Sequence, residues 1–314
     1  MRKGLLAICL VLLISLAVLV PSCTGTPTTG TINVSATLDG APWPGSGTGG
    51  VNYTLTPTGG SPTAGTTVPK SFSVNPASWT CAYVAGGPGT FVNITPSATQ
   101  TLAAGQNITF TLNFQTPLDA TISFKSWTIN GADVAGGQFY TLYPGDWVDV
   151  EYTEHMYGPP GNVTVHQTSW LKIHNIGIEG EQGGPDIILH VDNEQGAVSM
   201  NPPSTPMNQK CTLDGQEVPV CMEIPLHFCE PVTLDVEVDW NLEICTDYTK
   251  TINWFSFPSP PVLFHIFPGD LGSPIGVSMN LTTWASVNLP GDTDPSNDTT
   301  PVSPWIVVTY QNLP

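Results

Sequence analysis

An all-β chain is predicted, with β-sandwich domains in tandem after a signal peptide. Three observations predict it. Gly and Pro number 31 each in 314 residues, and both break helices. Thr and Val are abundant between them, and β-branched residues suit a pleated surface. Past residue 23 no window carries apolar residues at i, i+3, i+4 and i+7, whereas clear stretches alternate apolar and polar with period two.

The chain begins with Arg2 and Lys3, then an apolar run from Leu5 to Val20, then Val20-Pro21-Ser22-Cys23. Positive start, apolar middle and small-residue end are the order of an export signal, so residues 1–23 are read as a signal peptide. The run is short for a membrane-spanning helix, which needs ~20 apolar residues. Small residues before Cys23 resemble the lipobox of bacterial lipoproteins. The resemblance implies that Cys23 is lipidated and becomes the new N-terminus. Pro21 departs from the pattern, and simple cleavage near Cys23 is the alternative. Residues 24–30 form a Thr/Gly/Pro tether.

About 290 residues remain, enough for two or three domains at ~100–150 residues each. The formal net charge is −18, from seven Lys+Arg against 25 Asp+Glu. Two of the seven lie in the signal, and Lys70, Lys125, Lys172, Lys210 and Lys250 are spread singly. Nucleic-acid binding needs a basic patch, so it is excluded. Contact with a membrane is expected through the N-terminal lipid only.

Residues 31–115 read as one β-sandwich. Thr31 to Leu38 alternates and ends at the turn Asp39-Gly40. Val51–Thr56, Lys70–Val74, Trp79–Val84 and Ile108–Phe114 are further strands, separated by Gly- and Pro-rich breakers. Ile32-x-Val34, Asp39-Gly40-x-Pro42, Gly45 and Val51-x-Tyr53-x-Leu55 resemble the opening of prealbumin-like modules. These are the carboxypeptidase-regulatory, PEGA and Cna-B type domains of exported bacterial proteins. The resemblance implies a sandwich used as a stalk or spacer. Some Cna-B relatives carry a Lys–Asn isopeptide bond, for which Lys70 and Asn113 are the pair to nominate; a solvated Lys70 is the plainer expectation.

Residues 116–314 are read as a β-sandwich region, either one large domain or two with a boundary near 210–231. Ala120–Asn130 is a strand with a bulge before Trp127. Val148, Val150 and Tyr152 share a strand face. Val163–Ile178 and Ile187–Val191 are strands, and Asp214-Gly215 is a hairpin turn. Val232–Cys245 carries the clearest pattern. Leu234, Val236, Val238, Trp240, Leu242 and Ile244 fall on one face, and Asp235, Glu237, Asp239, Asn241 and Glu243 on the other. Near the end, Asn280-Leu281-Thr282-Thr283-Trp284-Ala285-x-Val287, Leu289-Pro290-Gly291-Asp292-x-Asp294-Pro295-x-Asn297-Asp298-Thr299 and Ile306-Val307-Val308 are similar to the last hairpin of CARDB-type and related Ig-like cell-surface domains. The resemblance implies an Ig-like sandwich at the C-terminus.

Cys211, Cys221, Cys229 and Cys245 cluster within 35 residues at spacings of ten, eight and sixteen. Export puts them in an oxidising place, so they are disulfide candidates; the tight pairs of zinc sites are missing. A single strand over Val232–Cys245 would hold Cys229 and Cys245 too far apart to pair. That leaves Cys211–Cys229 with Cys221–Cys245, or Cys211–Cys245 with Cys221–Cys229, while a hairpin turn at Trp240-Asn241 would reopen Cys229–Cys245.

No motif for a nucleophile elbow, zinc protease, P-loop or dinucleotide fold occurs, and no catalytic residue is nominated. His166 and His174 share a strand face but lie ~26 Å apart along it. His190, Asp192 and Glu194 fall at steps of two, a trio that needs a fourth ligand to hold a metal. Asp292, Asp294, Ser296 and Asp298 form an alternating oxygen-rich run with the spacing of the first part of a calcium loop. Asn297 and Ser303 stand where that loop needs Gly and Glu. Calcium is thus the one candidate ion, against a plain Asx-turn loop; no other cofactor is expected. Trp127, Trp147, Trp170, Trp254, Trp284 and Trp305 either fill sandwich cores or line a sugar-binding face.

The reading is a non-catalytic cell-surface protein serving structural presentation or adhesion, lipid-anchored on the outer face of the membrane, or secreted if cleavage is simple. The rival is a carbohydrate-binding or carbohydrate-active surface protein. The expected partner is a surface protein or a glycan.

Overall fold

The computed structural model describes residues 28–44, 50–176, 187–191, 198–218, 222–227, 230–256, 264–268 and 277–311. The regular elements in them are strands, apart from one 3-10 turn at Pro295–Asn297. Residues 1–27, with the expected signal peptide and Cys23, lie outside the described residues. The chain divides into two compact units, Met1–Phe114 and Gln115–Pro314.

In the first unit, β1 (Gly30–Leu38), β2 (Ala41–Trp43), β5 (Lys70–Val74), β7 (Thr90–Thr95) and β9 (Asn107–Gln115) form a five-stranded sheet. β3 (Val51–Pro57), β4 (Thr63–Gly65), β6 (Ala77–Gly86) and β8 (Thr99–Leu102) form a four-stranded sheet. β1 runs parallel to β9, with Ile32 opposite Ile108 and Val34 opposite Phe110. The alternation of β1 puts Ile32, Val34 and Ala36 inside, where they meet Tyr53, Leu55, Phe110 and Phe114. Lys70 is exposed. Its register partner Val34 faces Phe110, three residues before Asn113. The Asn113 amide instead donates to Asn93 Oδ1 at 2.7 Å and Thr95 Oγ1 at 3.1 Å. The Lys70–Asn113 bond is therefore not formed, because the two side chains occupy different levels of the sheet.

The second unit pairs an eight-stranded with a seven-stranded sheet. The first contains β10 (Asp119–Ile129), β11 (Ala132–Val134), β13 (Trp147–Tyr157), β15 (Ile187–Val191), β16 (Val198–Asn201), β19 (Met222–Leu226), β21 (Asp247–Ser256) and β22 (Phe264–Pro268). The second contains β12 (Gln138–Leu142), β14 (Asn162–Asn175), β17 (Met207–Leu213), β18 (Gln216–Glu217), β20 (Pro231–Glu243), β23 (Val277–Asn288) and β24 (Ile306–Tyr310). β10 and β13 slip register between Phe124 and Ser126, the expected bulge. Asp214 (φ 46°) and Gly215 (φ 79°) make the turn from β17 to β18, a left-handed pair that Gly and Asp tolerate.

β20 is one unbroken strand. Leu234, Val236, Val238, Trp240 and Leu242 are buried, as is Ile244 beyond it. They pack with Val148, Val150 and Tyr152 of β13 and Leu171 and Ile173 of β14 in a single core. Burying a side chain of this size contributes about 1.5–3 kcal/mol, so this core is what holds the two sheets face to face.

Candidate functional site

β14 lies between β20 and β23 in the seven-stranded sheet. Its alternation sends Val165, Gln167, Ser169, Leu171 and Ile173 inward and His166, Thr168, Trp170, Lys172 and His174 outward. Register places Trp284 of β23 directly opposite Trp170. Both indoles are part-exposed, stacked with centroids 5.7 Å apart and planes 14° apart. Thr168 faces Ser286, Lys172 faces Thr282 and His174 faces Asn280 around them. The chain from Thr300 to Ser303 is fixed beside Trp284 by Thr300 N to Ala285 O and Ser303 N to Thr283 O, both 2.8 Å.

On the other flank β20 presents Asp235, Glu237 and Asp239, each already engaged. Glu237 takes Lys210 Nζ at 2.5 Å and His166 Nε2 at 3.7 Å. Asp239 accepts from Asn208 Nδ2 at 2.8 Å and meets His166 Nδ1 at 2.7 Å, and these bonds hold its carboxyl below the usual range. Asp235 accepts from the Thr212 hydroxyl, while burial pushes its carboxyl up.

The loop after β23 uses its carboxylates locally. Asp292 accepts from Ala120 N at 2.8 Å and Asp294 N at 2.7 Å. Asp294 caps the 3-10 turn, accepting from Ser296 N at 3.2 Å and Ser296 Oγ at 2.5 Å. These bonds lower the Asp294 pKa. Asn297 donates to Asp119 Oδ1 at 3.4 Å. Asp298 is pushed up to about 6 by burial and by Asp292, Asp119 and Asp294. Asp119 is also raised, first by its burial. Among the described residues no group of three or more His, Cys, Asp or Glu could hold a metal ion. The four oxygen residues of the run sit in one loop, and that loop is tied to the start of β10.

The remaining candidates are dispersed. Cys221 and Cys229 lie outside the described residues, as do Asp192 and Glu194. Cys211 is buried opposite Val236. Cys245 is exposed past the end of β20, with a free thiol 3.7 Å from Gly158 O. The run of strand between Val236 and Cys245 spans ~30 Å at ~3.3 Å per residue, so Cys211–Cys245 is not formed. Trp127 and Trp254 are core residues, whereas Trp147 and Trp305 are exposed.

Two titratable residues that the pattern did not single out sit in the core. Lys250 Nζ lies 2.5 Å from Glu154 Oε2, with both side chains fully buried. The ammonium also lies 5.1 Å from the Trp240 ring. Burial pushes Glu154 up and Lys250 down, and their mutual attraction opposes both shifts. The sequence signal was available: Glu154 falls on the apolar face of Val148, Val150, Tyr152 and Met156.

No family model matches the chain, and no curated protein matches it. Among solved structures it is similar to a DUF3823 family protein from Bacteroides ovatus ATCC 8483, at 10% identity and TM-score 0.21, covering 89% of this chain and 98% of that one. It is similar to the full-length RrgB pilus protein from Streptococcus pneumoniae, at 11% identity and TM-score 0.21, covering 83% and 48%. It is also similar to the fimbrial protein FimP from Actonomyces oris, at 13% identity and TM-score 0.22, covering 90% and 66%. TM-scores this low carry no argument about function, and the all-β assignment rests on the strand pairings themselves.

Proposed function

We propose that this chain is an exported, non-catalytic surface protein, anchored by lipid on Cys23, whose β-sandwich units present or space a surface structure. The observation that carries the reading is the order of the N-terminus. Charge, apolar run and small residues lead to Cys23, a tether follows, and the chain then folds into two compact all-β units. Two features support a structural role. The strongly perturbed pair Glu154–Lys250 is sealed in the core, out of reach of a substrate. Asp235 and Asp239 of β20 and Asp292 of the 291–298 loop are tied into local bonds. The net charge of −18 favours solubility outside the cell.

The test is fractionation of cells expressing the full chain and Cys23→Ala. Wild type should sediment with membranes, and Cys23→Ala should be released or remain unprocessed. A wild-type protein found wholly in the soluble fraction would remove the anchor.

A further inference from the structure

We propose that the outer face of the seven-stranded sheet is a binding site for a neutral glycan, centred on the Trp170–Trp284 pair. The two indoles are opposite one another in register, part-exposed and parallel to within 14°. They form an apolar ridge on a sheet face that also carries Phe139 of β12 and Met207 of β17 farther out. Around them stand hydroxyls and an amide: Thr168, Thr282, Ser286 and Asn280. An apolar ridge with small neutral hydrogen-bonding groups on its β23 side and Asp235 opposite Trp170 on its β20 side matches a sugar chain, which offers C–H faces to rings and hydroxyls to their surroundings. The charge pattern selects against anionic ligands. Asp235, Glu237 and Asp239 stand on the β20 side of the ridge, held in place by Thr212, Lys210, Asn208 and His166. Lys172 is the one lysine among these β14 positions, too little for an anionic polymer. The Thr300–Ser303 stretch is hydrogen-bonded along the edge of β23 at Ala285 and Thr283, which fixes the strand that carries Trp284.

This site goes beyond surface presentation and does not depend on the lipid anchor. The experiment screens the full chain on an array of neutral and sulfated oligosaccharides, then titrates the best neutral hit by calorimetry. The variants are Trp170→Ala, Trp284→Ala, the double Phe replacement at both positions, and Trp147→Ala on the other sheet as a control. Binding of a neutral oligosaccharide is expected. Each Ala change at the ridge should weaken it about tenfold or more, the double Phe variant should keep most of the affinity, and Trp147→Ala should leave it unchanged. Thermal melts identify any variant that fails to fold, in which case Trp170→Thr and Trp284→Thr, which keep a strand-forming residue without the ring, replace the Ala changes and should weaken binding to the same extent. Three results would overturn the proposal: no neutral hit, binding confined to sulfated glycans, or affinity indifferent to Trp170 and Trp284. Self-association lost on Trp170→Ala would instead assign the ridge to a second copy of the chain and would equally overturn it.

Discussion

Lys250 on β21 and Glu154 on β13 meet at 2.5 Å inside a core that leaves neither side chain any exposure. Around them are Trp240, Tyr152 and Ile252, all buried. Removing one partner strands a buried charge, which costs about 3–5 kcal/mol. Lys250→Met and Glu154→Gln should each destabilise the second unit on that scale in urea unfolding. The double change Lys250→Met with Glu154→Leu should recover most of the loss, because an apolar pair needs no compensation. Additive losses in the double variant would show that the pair is not coupled.

Trp240 Nε1 donates to Gln167 Oε1 at 3.1 Å, and Gln167 Nε2 donates to Ser169 Oγ at 3.0 Å, all in the same core. Trp240→Phe keeps a ring but leaves Gln167 Oε1 without its donor. A loss of about 1–3 kcal/mol is expected from the buried acceptor alone. Trp240→Phe with Gln167→Leu should be less damaging than Trp240→Phe by itself, measured by denaturant midpoint.

Asp298 sets a pH dependence. Its folded pKa is about 6, against an ordinary 3.8. The folded chain therefore holds this proton more tightly than the unfolded one. The neutral carboxyl favours the fold at low pH, and stability falls as pH rises from about 4 to about 6, staying lower above. Asp298→Asn should raise the melting temperature at pH 7.5 and make little difference at pH 4. The group is partly exposed, so screening limits the gain to about 1 kcal/mol, or ~2–4 °C for a unit of this size. A gain at pH 4 equal to that at pH 7.5 would remove the carboxyl as its cause.

The 291–298 loop also gives a calcium test. Asp292 spends its two oxygens on Ala120 N and Asp294 N, and Asp294 spends Oδ1 on Ser296. Melting temperatures in chelator and in millimolar calcium should therefore agree. Asp292→Ala with Asp294→Ala should melt lower by the same amount in both buffers. A wild-type rise with calcium that the double variant lacks would make the run a cation site.

Much of the fold was legible because strand alternation is local. β20 could be read residue by residue, since six apolar positions at steps of two can only share one face. The Asp214-Gly215 turn and the bulge in β10 were legible for the same reason. β21 was not recognised, because Thr and Lys interrupt its apolar positions and Lys250 reads as a surface residue until Glu154 is seen beside it. The candidate site was legible only in its parts. Trp170 and Trp284 were both named, yet their pairing depends on the register between strands 114 residues apart in sequence. Of the acids assigned to the wet face of β20, Glu243 is exposed and Glu237 and Asp239 are half-buried, but Asp235 is buried beside Thr212, and the partners Lys210, His166 and Asn208 come from two other segments. No period within one strand reports such partners.

The central claim, an exported chain tethered at Cys23, is tested most directly by the mass of the mature N-terminal peptide from membrane-extracted protein. The account predicts a peptide that begins at Cys23 and carries the added mass of a lipid on its sulfur. An unmodified peptide that begins elsewhere, recovered from the soluble fraction, would contradict it.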